Sequence, residues 1–84
     1  MVRKTVYSPE SRLLANFLSE ARRRAGVLQS EVAEKMGTDQ TVISNIERGQ
    51  RRIDVVEFYR FAKAIDADPT TLFESAIEEW EKPK

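Results

Sequence analysis

Four side chains near the middle of this 84-residue chain are suited to recognition by hydrogen bonding: Gln40, Thr41, Ser44 and Asn45, within the stretch GTDQTVISNIERGQRR at 37–52. On a helix advancing ~100° per residue from Gln40, the polar residues Gln40, Ser44, Arg48, Thr41 and Asn45 fall at about 0°, 40°, 80°, 100° and 140°. Val42, Ile46 and Ile43 fall at about 200°, 240° and 300° on the same projection, so one face is apolar and the other carries uncharged amides and hydroxyls. An ordinary solvated face is more often written with Glu and Lys, which support one another at i,i+4 and are better helix formers than Asn, Ser or Thr. Amides and hydroxyls both donate and accept. Gln or Asn can bond the N6 and N7 edge of adenine, a threonine methyl can pack on thymine, and the N–H groups at a helix start favour phosphate. The plainer alternative is an exposed polar face with no ligand.

Other chemistries find little support. Histidine and cysteine are absent, which removes disulfides, thiol nucleophiles, the usual zinc ligands and the commonest general base. Ser, Asp, Lys and Tyr occur, but in no nucleophile-and-base constellation, and there is no phosphate-binding glycine loop. The expectation is therefore a protein that is not an enzyme, with no cofactor and no metal. Apolar runs are too short for a membrane span, and MVRKTVY lacks the apolar core of a signal peptide. A cytoplasmic, soluble protein is expected.

Formal charge is zero, with 14 basic and 14 acidic residues, but its distribution is uneven. Residues 1–52 hold ten Lys/Arg and six Asp/Glu, a balance of +4; residues 53–84 hold four and eight, a balance of −4. Such a chain can turn one basic surface toward phosphates and keep its acidic half elsewhere. Chance segregation of solvated charge would give the same counts.

The elements that must position these residues are helices. Alternating strand patterns and hairpin turns are missing, whereas helical spacing recurs throughout. Ser8 is an N-cap with Pro9 at the first helical position, and Leu13, Leu14, Phe17, Leu18 and Ala21 repeat at helical spacing, so a first helix is expected from about Pro9 to Ala25, stopping at Gly26. A second, Gln29 to Met36, turns Val32, Ala33 and Met36 inward and ends at Gly37. Its cap position holds Leu28, which has no side-chain acceptor; the missing cap is typically worth ~1 kcal/mol, with Ser30 a poor substitute unless Leu28 packs instead. A third helix starts after Asp39, whose carboxylate can cap it, and ends at Gly49. The fourth starts at Asp54 with Glu57 at capping-box spacing, and its pattern DVVEFYRFAKAI reads as core. The fifth starts at Asp68-Pro69 and carries Leu72, Phe73, Ala76, Ile77 and Trp80. Only Gly37, Thr38 and Asp39 separate the second and third helices, a glycine-containing turn that makes two short helices cross steeply. One domain spans 9–80, preceded by a short tail at 1–8 and followed by a frayed end at 81–84; about 60 to 65 % of the unfolded surface can be buried at this size.

The run Q-x-E-V-A-x-x-M-G followed by I-S-x-I-E-R-G, within ARRRAGVLQSEVAEKMGTDQTVISNIERGQRRIDVVEFYRFAKAIDADPTTLF, resembles the helix-turn-helix family of phage repressors and Cro proteins, the XRE family. The likeness covers residues 13 to 73. It implies an all-α, compact five-helix, lambda-repressor-like domain with the third helix in the major groove of double-stranded DNA. It also implies base reading by Gln40, Thr41, Ser44 and Asn45. Gln29 matches a glutamine that contacts phosphate and supports the first reading residue, and Arg48, Arg51 and Arg52 match positions that touch the backbone. Glu47 matches a carboxylate paired with a first-helix arginine, here Arg22, and the pair is expected to be structural. Leu28 departs from the family pattern, which has Ser or Thr there.

A single such module reads only a few base pairs, so pairing on half-sites about 34 Å apart is expected. Phe73, Ile77 and Trp80 on the last helix are the candidate dimer interface; alternatively Trp80 folds back on the first helix or on Phe61. The expected function is a sequence-specific transcriptional regulator, of repressor or controller type, acting as a homodimer on an inverted repeat, of bacterial or phage origin. The rival is a protein-binding or antitoxin-like module on the same fold, separable by whether changes at Gln40 and Asn45 abolish DNA selection.

Overall fold

Ser8 opens the first helix: its hydroxyl accepts from the Ser11 N–H at 3.1 Å, and Pro9, which has no N–H to lose, takes the next position. The computed structural model describes residues 8–83, so the expected tail at 1–8, apart from Ser8, lies outside the described residues, as does Lys84. Five helices follow: α1 Pro9–Arg24, α2 Gln29–Met36, α3 Gln40–Glu47, α4 Val55–Ala64 and α5 Pro69–Glu81. No strand occurs among the described residues. α1 stops one residue earlier than expected, with Ala25 as its C-cap, and α5 runs through Glu81, one residue into the end expected to fray.

Packing follows the apolar stripes. Leu18 of α1, Val32 of α2, Ile43 and Ile46 of α3, and Phe61 of α4 are fully buried and form the centre of one core. α3 packs on α2 and α1, α4 on α2 and α5, and α5 closes over α1. Between α2 and α3, Gly37 takes φ 72°, which lets the Thr38 N–H reach the Ala33 carbonyl at 2.9 Å and turns the chain within three residues. The same closure ends α4, where the Ala67 N–H reaches Ala62 O at 2.9 Å, but there the left-handed residue is Asp66, φ 59°.

Three local expectations are corrected. Leu28 is 64 % exposed and is not among the side chains packed against the core. Instead Glu31 reaches back, its Oε1 accepting the Leu28 N–H at 2.8 Å, so α2 has half of a capping box and Ser30 is not the substitute. Asp39 sits at the N-cap of α3, yet its carboxylate caps no N–H; it is exposed, where water competes for it, and the backbone bond from Val42 N–H to Asp39 O at 3.0 Å holds the turn. The third concerns α4. Asp54 and Glu57 form the expected reciprocal box at 2.7 and 3.0 Å, and Phe61, Ala62 and Ile65 are buried. Val55, Val56 and Tyr59, however, are 86, 59 and 54 % exposed. A helix resting on α2 and α5 buries one stripe, and these three side chains lie outside it.

Candidate nucleic-acid interface

α3 is oriented by its apolar side. Ile43 and Ile46 are buried and Val42 half-buried, which leaves Gln40, Thr41 and Arg48 exposed and Ser44 and Asn45 half-buried on the opposite face. Gln40, Thr41, Ser44 and Arg48 line one shallow surface depression, so four of the predicted site residues are brought together there. Asn45 adjoins them through Arg48, whose guanidinium donates to Asn45 Oδ1 at 2.7 Å.

Beneath this face lies a connected set of polar groups. Arg22 Nε and an Nη donate to the two oxygens of Glu47 at 2.7 and 3.0 Å, and the other Nη donates to the Val27 carbonyl at 2.8 Å. Both residues are buried. Burial alone would raise the Glu47 carboxyl, but hydrogen bonds from Arg22 and Gln29 together with the Arg22 charge outweigh it and hold the group below its ordinary 4.5. Because a carboxylate only accepts, Gln29 must turn its Nε2 toward Glu47 Oε1, at 2.9 Å. Its oxygen then faces Gln40, whose Nε2 donates at a long 3.4 Å. Arg22, Glu47, Gln29 and Gln40 thus form one chain from the core to the surface. No local spacing announces the Gln29 to Glu47 bond, which joins residues 18 apart and exists only because α2 and α3 cross.

The remaining basic residues are placed less simply. Arg51 is engaged by Glu57 in a two-bond ion pair at 2.9 and 3.1 Å and also donates to Arg52 O at 2.9 Å. The hydrogen bonds that Arg51 donates to Glu57 draw its carboxyl below its usual range. Arg51 and Arg52 lie in the stretch after α3, exposed, beside the groove lined by Ser11, Leu14 and Gly49. The Arg51 to Glu57 pair was not anticipated; the two residues are six apart across a loop, where no helical periodicity applies. The Asn45 to Arg48 bond has helical i,i+3 spacing and was open to such a reading. Trp80 turns back on its own chain: its indole N–H donates to the Glu10 carbonyl at 3.0 Å and its ring meets Phe73 edge-on at 6.0 Å. Phe73 in turn meets Phe58 at 5.5 Å and stays 44 % exposed, while Ile77 is half-buried.

Two short helices crossing at a glycine turn, the second with its polar face outward, coincide with a match of residues 18–72 to the family model described as helix-turn-helix. The chain belongs to the helix-turn-helix family. Antitoxin HipB of Escherichia coli strain K12 is 32 % identical over 65 residues, 77 % of this chain and 72 % of that protein. The fold is similar to that of the restriction-modification controller protein C.Esp1396I, solved as a tetramer in complex with its natural 35 base-pair operator, with TM-score 0.80, 27 % identity and coverage of 89 % of this chain and 99 % of that one. It is also similar to an XRE-family like protein from Pseudomonas syringae pv. tomato, with TM-score 0.78, 35 % identity and coverage of 92 and 94 %. The family match includes α2, α3 and the buried ion pair beneath them.

Proposed function

We propose that this protein is a sequence-specific DNA-binding transcriptional regulator, of repressor or controller type, that reads the major groove with α3 as a homodimer. The observation that carries this reading is the outward amide and hydroxyl face of α3, with Gln40 held against Gln29 over the buried Arg22 to Glu47 pair. With one N–H turned to Gln29, the Gln40 carboxamide retains an oxygen and a second N–H, the complement of adenine N6–H and N7. Thr41 and Ser44 supply shorter contacts beside it. Gln29, Arg51 and Arg52 are the candidates for phosphate, whereas Arg48, which the family resemblance groups with them, lines the same depression as Gln40, Thr41 and Ser44. Arg51 reaches phosphate by exchanging Glu57 for it, which costs little because an exposed ion pair is worth ~1 kcal/mol or less.

The longest dimension of the molecule is 32 Å, and a copy carries a single α3, so reading two half-sites about 34 Å apart takes two copies. The proposed pairing surface is the apolar face around Phe73, continued by Val55 and Tyr59 of α4, which line the same groove. Ile77 and Trp80 contribute less directly, since Trp80 is already held by Glu10. We place the protein in the cytoplasm. No helix among the described residues is long and apolar enough to cross a membrane. We assign it no catalytic role and no cofactor or metal.

Likeness to Antitoxin HipB favours a second reading, in which the same module also binds a partner protein. Selection of bound duplexes from a randomised pool at near-physiological salt tests both. A two-fold symmetric motif is the expected result, and Gln40→Ala should relax it at one base pair by ~1 to 3 kcal/mol. A folded protein that enriches nothing would overturn the regulator and leave the partner-binding module.

A further inference from the structure

The family resemblance groups Arg48 with the phosphate contacts, but its surroundings are those of a base reader. Arg48 follows the last residue of α3 and projects at about 80°, in the middle of the arc that runs from Gln40 to Asn45. It lines the same depression as Gln40, Thr41 and Ser44. Its guanidinium donates to Asn45 Oδ1 at 2.7 Å, a charge-assisted bond between residues three apart. That bond turns the Asn45 carboxamide so that its oxygen lies on Arg48 and its Nδ2 points the other way.

An amide reads adenine by presenting an acceptor to N6–H and a donor to N7 at once. For Asn45 to do so, its oxygen would have to accept from N6–H as well as from the guanidinium that already holds one of its two lone pairs. What Asn45 and Arg48 present together is donors: the Nδ2 hydrogens of one and the remaining guanidinium hydrogens of the other. The major-groove edge of guanine is the complement, with two acceptors, O6 and N7. Gln40 is different. Its Nε2 faces Gln29, its oxygen has no guanidinium on it, and it keeps the mixed pattern that suits adenine.

We propose that Arg48 and Asn45 act as one composite reader of guanine, Arg48 being a specificity-determining residue that both contacts the base and sets the orientation of the Asn45 amide. This rests on the DNA-reading function proposed above. α3 then carries two readouts, a mixed donor and acceptor at its start and donors only at its end.

The test is duplex selection with the wild-type protein and with Arg48→Ala, both checked for folding by circular dichroism, followed by affinity measurements against salt. The wild type is expected to select guanine at one position of each half-site, separate from the position governed by Gln40. Arg48→Ala should lose that guanine preference, its discrimination there falling roughly 5- to 150-fold, and should admit adenine as the amide is released, with the rest of the motif unchanged. Equal weakening on all sequences with the motif intact, and a salt slope shallower by about 0.9, would make Arg48 a phosphate contact and overturn the proposal. A wild-type motif lacking guanine at that position would overturn it while leaving the regulator standing. No motif at all with folded wild-type protein would remove the DNA-reading function and this inference together.

Discussion

At the scale of single residues, Glu47 matters most because it serves both the core and the surface. It neutralises buried Arg22 and fixes the amide of Gln29, which supports Gln40. Breaking a buried pair leaves an uncompensated charge, so Glu47→Gln should destabilise the fold by ~3 kcal/mol at neutral pH, the low end for such pairs because the amide keeps some hydrogen bonds and Arg22 keeps Val27 O. The direction of the pH effect follows from the carboxyl lying below its ordinary 4.5 in the folded protein. Its contribution is fully present above about pH 4.5 and is lost as pH falls through the lower, folded value. Urea denaturation at pH 7 and at pH 3 should therefore show a large gap between wild type and variant at the higher pH and a narrowed one at the lower. A gap that stays constant would mean that the Glu47 charge is not what stabilises the pair. Base preference, by contrast, should change less than stability, since Glu47 faces the protein.

At the scale of helices, the start of α2 is only half capped. Glu31 satisfies the Leu28 N–H, but no side chain returns a bond to the first turn, because leucine has no acceptor. Leu28→Ser places a hydroxyl three residues before Glu31 and completes the box at an exposed site where nothing is displaced. The expected gain is ~1 kcal/mol, visible as a rise of roughly 4 to 8 °C in the thermal midpoint for a domain of this size. No rise would show that water already satisfies that turn. Helix starts and stops are where the sequence was most legible: Ser8, Asp54 and Asp68 cap, and Gly37 and Gly49 take the left-handed turn, because these devices work over three or four residues. The polar face of α3 was legible for the same reason, being a matter of period. Asp39 has the right residue at the right place and makes no capping bond, since capping also needs the side chain to win against water. The exposure of Val55, Val56 and Tyr59 was not legible, because a helix period shows which residues are apolar but not how many neighbours the helix has. Pairings such as Arg22 with Glu47, 25 residues apart, followed from family resemblance and from no spacing in the chain.

At the scale of the whole molecule, charge and apolar surface are divided between the two ends of the chain. The half carrying α1 to α3 has the basic excess, and the half carrying α4 and α5 has the acidic one. A protein that meets phosphate with the first half gains nothing from adding area there with the second, and the acidic half is better suited to meet another protein. The exposed Val55, Tyr59 and Phe73, which line one surface groove, supply the apolar centre such a contact needs, in a molecule small enough that it would otherwise be costly to leave in water. Because Val55 and Tyr59 are exposed in the single copy, changing them separates assembly from folding. Val55→Glu combined with Tyr59→Glu puts two like charges near a two-fold axis on each copy, eight oxygens facing one another across the pair, and should shift a dimer to monomer in sedimentation equilibrium while leaving the helical circular dichroism signal unchanged. Affinity for one half-site should then persist, whereas the extra affinity for two half-sites on one duplex should vanish, because it arises from linking two weak contacts. If the doubly substituted protein still sediments as wild type, pairing uses a different surface and the face on α4 is left for a different protein.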